Sequence, residues 1–253
     1  EVAVSQGRAA FLKPKAAGPC DGAAVSECSS PNAGDDTNDG IVYLWEQGRV
    51  YDLCVAATAV ALSPRLVAAR VPVPPDASGE SAGTVVQVHG LDPNSPWITP
   101  TDQAGRPQIA TSLAVAGSVV AFLTPEASQR GIAPGCTASG GTDGTNLNGD
   151  GDCSDRVLQI YRFPDNVADP SEVVNVGWAA EDFVIGGEPG AELVAFRTRE
   201  CAQAGPLDSA RCPSGGRDLN DDGDADDDVL QVYDIAGTRP PQTNGSEITP
   251  CIF

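Results

Sequence analysis

Four stretches of the chain carry nearly the same order of apolar positions: RAAFLKP (8–14), LVAARVP (66–72), VVAFLTP (119–125) and LVAFRTR (193–199). They align with Phe11, Ala69, Phe122 and Phe196 in one column. A second apolar run follows each: IVYLW (41–45), VVQVH (85–89), VLQIY (157–161) and VLQVY (229–233). A shorter run precedes each pair: VAVSQG (2–7), AVALSP (59–64), LAVAG (113–117) and FVIGG (183–187). A fourth run closes each unit: GRVYDL (48–53), SPWITP (95–100), SEVVNVG (171–177) and the weaker GSEITP (245–250). Short apolar runs rich in Val, Ile and aromatics, bounded by Gly, Pro, Asn, Asp and Ser, are strand signals. The pattern therefore predicts a unit of four β-strands in about 60 residues, repeated four times. The approximate repeats are 1–56, 57–108, 109–180 and 181–253.

Four-stranded units in series are the signature of a β-propeller. One small sheet cannot bury both of its faces, so its neighbours must cover them. This accounts for VLQIY and VLQVY, which are apolar at nearly every position instead of alternating. The expectation is one all-β domain over 1–253, a propeller of four blades with four antiparallel strands each. A sandwich and a β-solenoid are the other arrangements compatible with the pattern.

Cysteine placement adds to this picture. There are eight, at 20, 28, 54, 136, 153, 201, 212 and 251, with no CxxC and one His. That set does not make a Cys/His zinc site. Four disulfides in an oxidising compartment are expected. Cys20–Cys28, Cys136–Cys153 and Cys201–Cys212 pair by proximity, each between the second and third strands of its repeat. Cys54 and Cys251 end the fourth strands of the first and last repeats. They pair either within one chain, clasping first blade to last, or between subunits. In the first case the closed loop is nearly the whole chain, worth roughly 5 kcal/mol in the chain-entropy view.

The segments between second and third strands carry the chemistry. DLNDDGDADDD (218–228) holds seven Asp in eleven residues against a strand-like run. Like charges this dense repel, so a cation is expected among them. Aligning the third strands superposes three loops. Repeat four places Asp218, Asn220, Asp222, Asp224 and Asp227 around Gly223. Repeat three places Asn146, Asn148, Asp150, Asp152 and Asp155 around Gly151. Repeat one has a thinner set, Asn32, Asp36 and Asp39, and repeat two has lost the pattern. Alternate oxygen-bearing residues followed by Gly are how a chain wraps a hard cation, and six to eight oxygens suit Ca²⁺. Two to three structural calcium ions are expected.

These loops resemble the D-x-[DN]-x-D-G-x-x-D calcium loops of FG-GAP propeller repeats, as found in integrin α-chains. They also resemble EF-hand and dockerin loops, but without flanking helical patterns. The resemblance covers the loops and the strand after each. It implies calcium held between two strands of a blade. The last Asp comes one residue later than in that family, and the Phe-Gly and Gly-Ala-Pro motifs are missing.

Composition limits the partners. The formal net charge is −20, from 15 Lys and Arg against 35 Asp and Glu. A polyanion of this kind is not suited to nucleic acid or an anionic membrane surface. No run approaches the roughly 18 apolar residues of a membrane helix. The chain begins at Glu1 and contains no Met, which reads as a processed start after removal of a signal peptide. Asn244-Gly245-Ser246 is a glycosylation sequon. An extracellular or cell-surface location is expected.

Catalytic patterns are sparse. His89 aligns with Trp45, Tyr161 and Tyr233, a strand packing column. G-x-S-x-G, P-loop and HExxH motifs do not occur. Trp45, Trp97 and Trp178 read as packing residues. The expected function is non-enzymatic and structural: a secreted building block of a filament or surface layer, its partners copies of itself. The alternative is an adhesion module for glycans or other extracellular proteins. A propeller hydrolase or lyase is a third reading.

Overall fold

The structure is a computed structural model that describes residues 1–14, 40–73, 83–129, 135–137, 143–165, 173–207, 212 and 215–235. Its regular elements are almost all strands. The first sheet, in the order β1-β2-β3-β4, is built from Val2–Ser5, Arg8–Pro14, Gly40–Glu46 and Arg49–Ala57. The second, β5-β6-β7-β8, uses Ala59–Leu62, Leu66–Pro72, Thr84–Gly90 and Trp97–Ile98. β9 (Ser112–Ala116) and β10 (Val119–Pro125) join β13 (Arg156–Arg162) and β14 (Val173–Ala179) in a third sheet, order β14-β13-β10-β9. The last, β15-β16-β17, comprises Asp182–Glu188, Ala191–Arg199 and Asp228–Asp234. The four repeats thus each form their own sheet. The run 245–250, expected as a fourth strand there, lies outside the described residues.

Tertiary structure adds two features that periodicity does not mark. A small hairpin, β11 (Gly135–Thr137) with β12 (Asp143–Thr145), rises within the loop of repeat three. Cys54 does not end β4, as the sequence suggests. The register shifts between Ile41 and Tyr43, Cys54 takes a positive φ of 59°, and pairing resumes with Ile41 opposite Ala56. A bulge of this kind lets a strand bend and continue past an unpaired residue.

The chain divides into two compact units, Glu1–Val120 with Tyr161–Glu172, and Ala121–Ile160 with Val173–Phe253. In the first unit the strand alternation sorts side chains onto two faces. Ala10, Val42 and Leu44 leave the first sheet on one face. They share a core with Val60, Leu62, Val67, Ala69, Val71 and Val85 of the second sheet. The opposite face of the first sheet carries Val2, Val4, Phe11, Tyr43 and Trp45, with the Phe11 and Tyr43 rings stacked 5.7 Å apart. In the second unit Val194, Phe196 and Thr198 are buried on one face of β16, and Thr198 Oγ1 donates to Ala179 O of β14 at 2.8 Å.

Two disulfides are described, Cys136–Cys153 and Cys201–Cys212. Both join cysteines that the sequence paired by proximity. Cys54 is also disulfide-bonded, with a partner outside the described residues. Cys20, Cys28 and Cys251 lie there too, as does Asn244. Among the described residues no helix is long and apolar enough to cross a membrane.

Candidate metal loops

Both full acidic loops sit between a second and a third strand of the second unit. In the loop of repeat four, Asp218 Oδ2 accepts the N–H of Gly223 at 2.9 Å and Asn220 Oδ1 that of Asp222 at 3.1 Å. Asp222 Oδ1 accepts from Asp224 N at 3.1 Å, and Asp224 Oδ1 from Asp226 N at 2.9 Å. Each side chain thus folds back on the backbone two to five residues ahead. Such Asx turns wind the segment and bring its oxygens together. Gly223 permits the tightest point with φ 99°, outside the range of most other residues.

Repeat three copies this arrangement. Asn146 Oδ1 accepts from Gly149 N at 2.6 Å, Asn148 Oδ1 from Asp150 N at 3.2 Å and Asp150 Oδ1 from Asp152 N at 3.0 Å. Asp152 Oδ1 takes the N–H of Ser154 at 2.7 Å. The closing Asp is tied to the second Asn in both loops. Asn148 Nδ2 donates to Asp155 Oδ2 at 2.9 Å, and Asn220 Nδ2 to Asp227 Oδ2 at 3.0 Å.

One residue in each site escapes the loop pattern. Glu126 and Glu200 stand one residue past β10 and β16, and both are fully buried. Glu126 Oε1 accepts the N–H groups of Leu147 at 2.5 Å and Asn148 at 3.2 Å, and its Oε2 takes that of Asp155 at 3.4 Å. Glu200 accepts from Leu219 N at 2.6 Å and Asp227 N at 3.1 Å. Each carboxylate therefore grips its loop near both ends from the floor of the sheet. The available signal was a Glu in the same column of both repeats, directly after the second strand. Repeats one and two have Lys15 and Val73 in that column.

The oxygens converge. One ligand atom from each of Glu126, Asp150, Asp152 and Asp155 lies within 4.8 Å of all the others, and the same holds for Glu200, Asp224 and Asp227. Carboxylate and amide oxygens suit a hard cation and not a soft metal. Cys201, Cys212 and Asp226 also cluster, but both sulfurs are committed to the disulfide. Asn220 and Asp222 are hydrogen-bonded to the converging Asp227 and Asp224, and Asp218 stands in the same loop, its oxygens on the N–H groups of Asp222 and Gly223. Asn32, Asp36 and Asp39 of repeat one lie outside the described residues.

Crowded carboxylates resist ionisation. Burial pushes Glu126 up to about 7, and the Asp150 charge adds to this. Asp155 is pushed up to about 8, first by burial, then by a hydrogen bond shared with Asp150 and by the charges of Asp150 and Glu126. Burial also raises Glu200. In the repeat-four loop, Asp227 is raised by its side-chain hydrogen bond with Asp222, whereas the Asp224 N–H lowers Asp222. A divalent cation would remove this conflict by favouring the ionised forms. The donor set and the charge conflict fit a hard divalent cation.

Beside the repeat-three loop lies a polar hollow of about 190 Å³, lined by Asp155, Arg156, Glu181 and Arg199 among others. Within it Arg199 pairs with the Glu181 carboxylate at 2.8 Å, and Arg156 donates to the Glu181 backbone carbonyl at 2.8 Å. His89 is buried with its ring 4.9 Å from that of Trp97, so it packs in the second sheet. Comparison of the chain with protein-family models, curated proteins and solved structures returns no match.

Proposed function

We propose that this protein is a secreted, non-enzymatic, calcium-binding β-propeller that serves as a building block of an extracellular filament or surface layer. The observation that carries the reading is duplication. Two loops of different sequence bring together three equivalent carboxylates, Glu126, Asp152 and Asp155 in one and Glu200, Asp224 and Asp227 in the other, and each is gripped by its buried Glu in the same column. A site built twice in register with its strand is a property of the scaffold. Calcium there would stiffen the long connection between second and third strands and offset part of the net charge of −20. Four sheets in series support four blades. The disulfides fit an oxidising, extracellular setting. Partners in this reading are further copies of the chain or other extracellular proteins and glycans.

The test is electron microscopy of the native protein with calcium and after chelation. Ordered filaments that fray without calcium are the expected result. Isolated particles in both conditions would overturn the building-block reading and favour an adhesion module.

A further inference from the structure

The two acidic loops of the second unit are joined by a side chain. Asn148 and Asn220 hold the same position in their loops, and each gives an amide N–H to its closing Asp. Their remaining Nδ2 contacts differ. Asn220 turns back to Asp222 Oδ2 at 3.1 Å, inside its own loop. Asn148 reaches out of its loop to Ala202 O at 2.9 Å. Ala202 ends the short 3₁₀ turn Glu200–Ala202, whose first residue is the buried Glu that grips the repeat-four loop. That turn is tied to the repeat-four segment elsewhere as well. Glu200 N donates to Asp227 O at 3.0 Å, Arg217 N donates to Glu200 O at 3.1 Å, and Cys201 is bonded to Cys212. The Asn148 amide therefore ends on the element that shapes the other site.

β14 makes a second connection. Asn175 Nδ2 donates to Leu147 O at 2.8 Å, directly before Asn148. Three residues on, the Trp178 ring lies under the Arg217 guanidinium at 5.4 Å, directly before Asp218. Both loops thus lean on one strand.

We infer that the two loops bind calcium cooperatively, and that Asn148 is the positioning residue that carries the coupling through the Glu200–Ala202 turn. This rests on the calcium reading above and adds how its two sites regulate each other. The Asn148 amide has two ends. Its Oδ1 accepts Asp150 N at 3.2 Å within the loop, and its Nδ2 faces Ala202. A cation that orders the repeat-three loop fixes both ends, and so holds the turn from which Glu200 accepts the Leu219 and Asp227 N–H groups. The repeat-four loop then loses less freedom when its own ion enters. By linkage the effect is equal in the reverse direction. Charge alone has the opposite sign, because a first divalent ion adds positive charge near the second site and weakens it. Positive cooperativity therefore separates mechanical coupling from electrostatics.

The probe is calcium alone, titrated into the full-length isotope-labelled protein and followed by NMR at the amide signals of Gly151 and Gly223, one in each loop. The two signals should move together along curves steeper than one-site binding, with filling of one loop raising affinity at the other about fivefold. Asn148→Asp keeps an oxygen for the ion but cannot donate to Ala202 O. Asn148→Ser removes the amide nitrogen without adding a charge. In both variants Gly223 should follow a one-site curve with its midpoint at higher calcium, while signals away from the loops stay in place. Independent one-site curves in the unaltered chain overturn the inference and leave the calcium reading intact. A curve as steep in either variant as in the unaltered chain overturns the role of Asn148. A response at one glycine alone overturns the coupling and leaves calcium at that loop. If neither glycine responds, the calcium reading falls and the inference with it.

Discussion

Glu200 Oε2 receives the backbone N–H of Asp227 at 3.1 Å, so the residue that closes the acidic loop is held from beneath by a buried carboxylate. Glu126 does the same for Asp155 at 3.4 Å. The loop is thereby fixed by the sheet before any ion enters. Glu200→Gln keeps the size but loses the charged acceptor, which is worth about 1.5 kcal/mol or more. Calcium affinity at that loop should fall roughly tenfold at constant stoichiometry. Calorimetric titration measures this, and unchanged affinity would show that the Glu does not position the loop.

The same column sets the number of strong sites. It holds Glu in repeats three and four, Lys15 in repeat one and Val73 in repeat two. Two tight equivalents of calcium per chain are expected. Terbium luminescence titration counts them, and Asp222→Asn with Asp150→Asn should abolish both. A third tight equivalent that survives these substitutions would place a strong site in repeat one.

Calcium should stabilise the fold through mass action, by about 2.7 kcal/mol per site at a hundredfold excess over its Kd. Scanning calorimetry should show a drop of several degrees in melting temperature on chelation. An identical transition with and without calcium would mean the loops hold no ion in the native protein.

Gly144 faces Cys153 within the repeat-three loop. A Cβ placed there would sit 2.5 Å from Cys153 Sγ and 2.7 Å from Glu126 O. The disulfide and the backbone leave no room to relax. Gly144→Ala should therefore cost about 1–3 kcal/mol, typical of an overpacked interior. Chemical denaturation reads the loss, and calcium affinity at the Glu126 loop should weaken with it.

His89 is the only His, which makes its titration easy to follow by proton NMR. Burial lowers it below the usual 6.5, against the opposing pull of the Gly90 and Ser95 backbone contacts. The folded state therefore binds its proton less readily than the unfolded chain. Its contribution to stability is complete above 6.5 and is lost as pH falls through and below that value. Denaturation midpoints should drop on acidification through this window in the protein and less so in His89→Phe. A midpoint for His89 above 6.5 would contradict the buried placement.

Strand identities were legible because they are local. RAAFLKP, LVAARVP and VVAFLTP coincide with β2, β6 and β10, since apolar runs between turn residues set strand length without reference to the rest of the chain. The pairings of Cys136 with Cys153 and Cys201 with Cys212 followed from short separations. The alternating oxygens of Asp218 to Asp227 and Asn146 to Asp155 announced convergence, because Asx turns act over two to five residues.

What the sequence determined by itself was therefore a set of four like sheets and two oxygen-lined loops. Tertiary structure decided the rest. Glu126 and Glu200 look like any acidic residue after a strand until packing removes them from water, and only then do their carboxylates need the loop N–H groups. Cys54 looked like a strand end, but β4 recovers its pairing beyond a bulge. Val184 and Leu230 look like ordinary strand residues. Only the packing of their sheet leaves them exposed while Phe196 on its opposite face is buried, because burial depends on the neighbour and not on the residue.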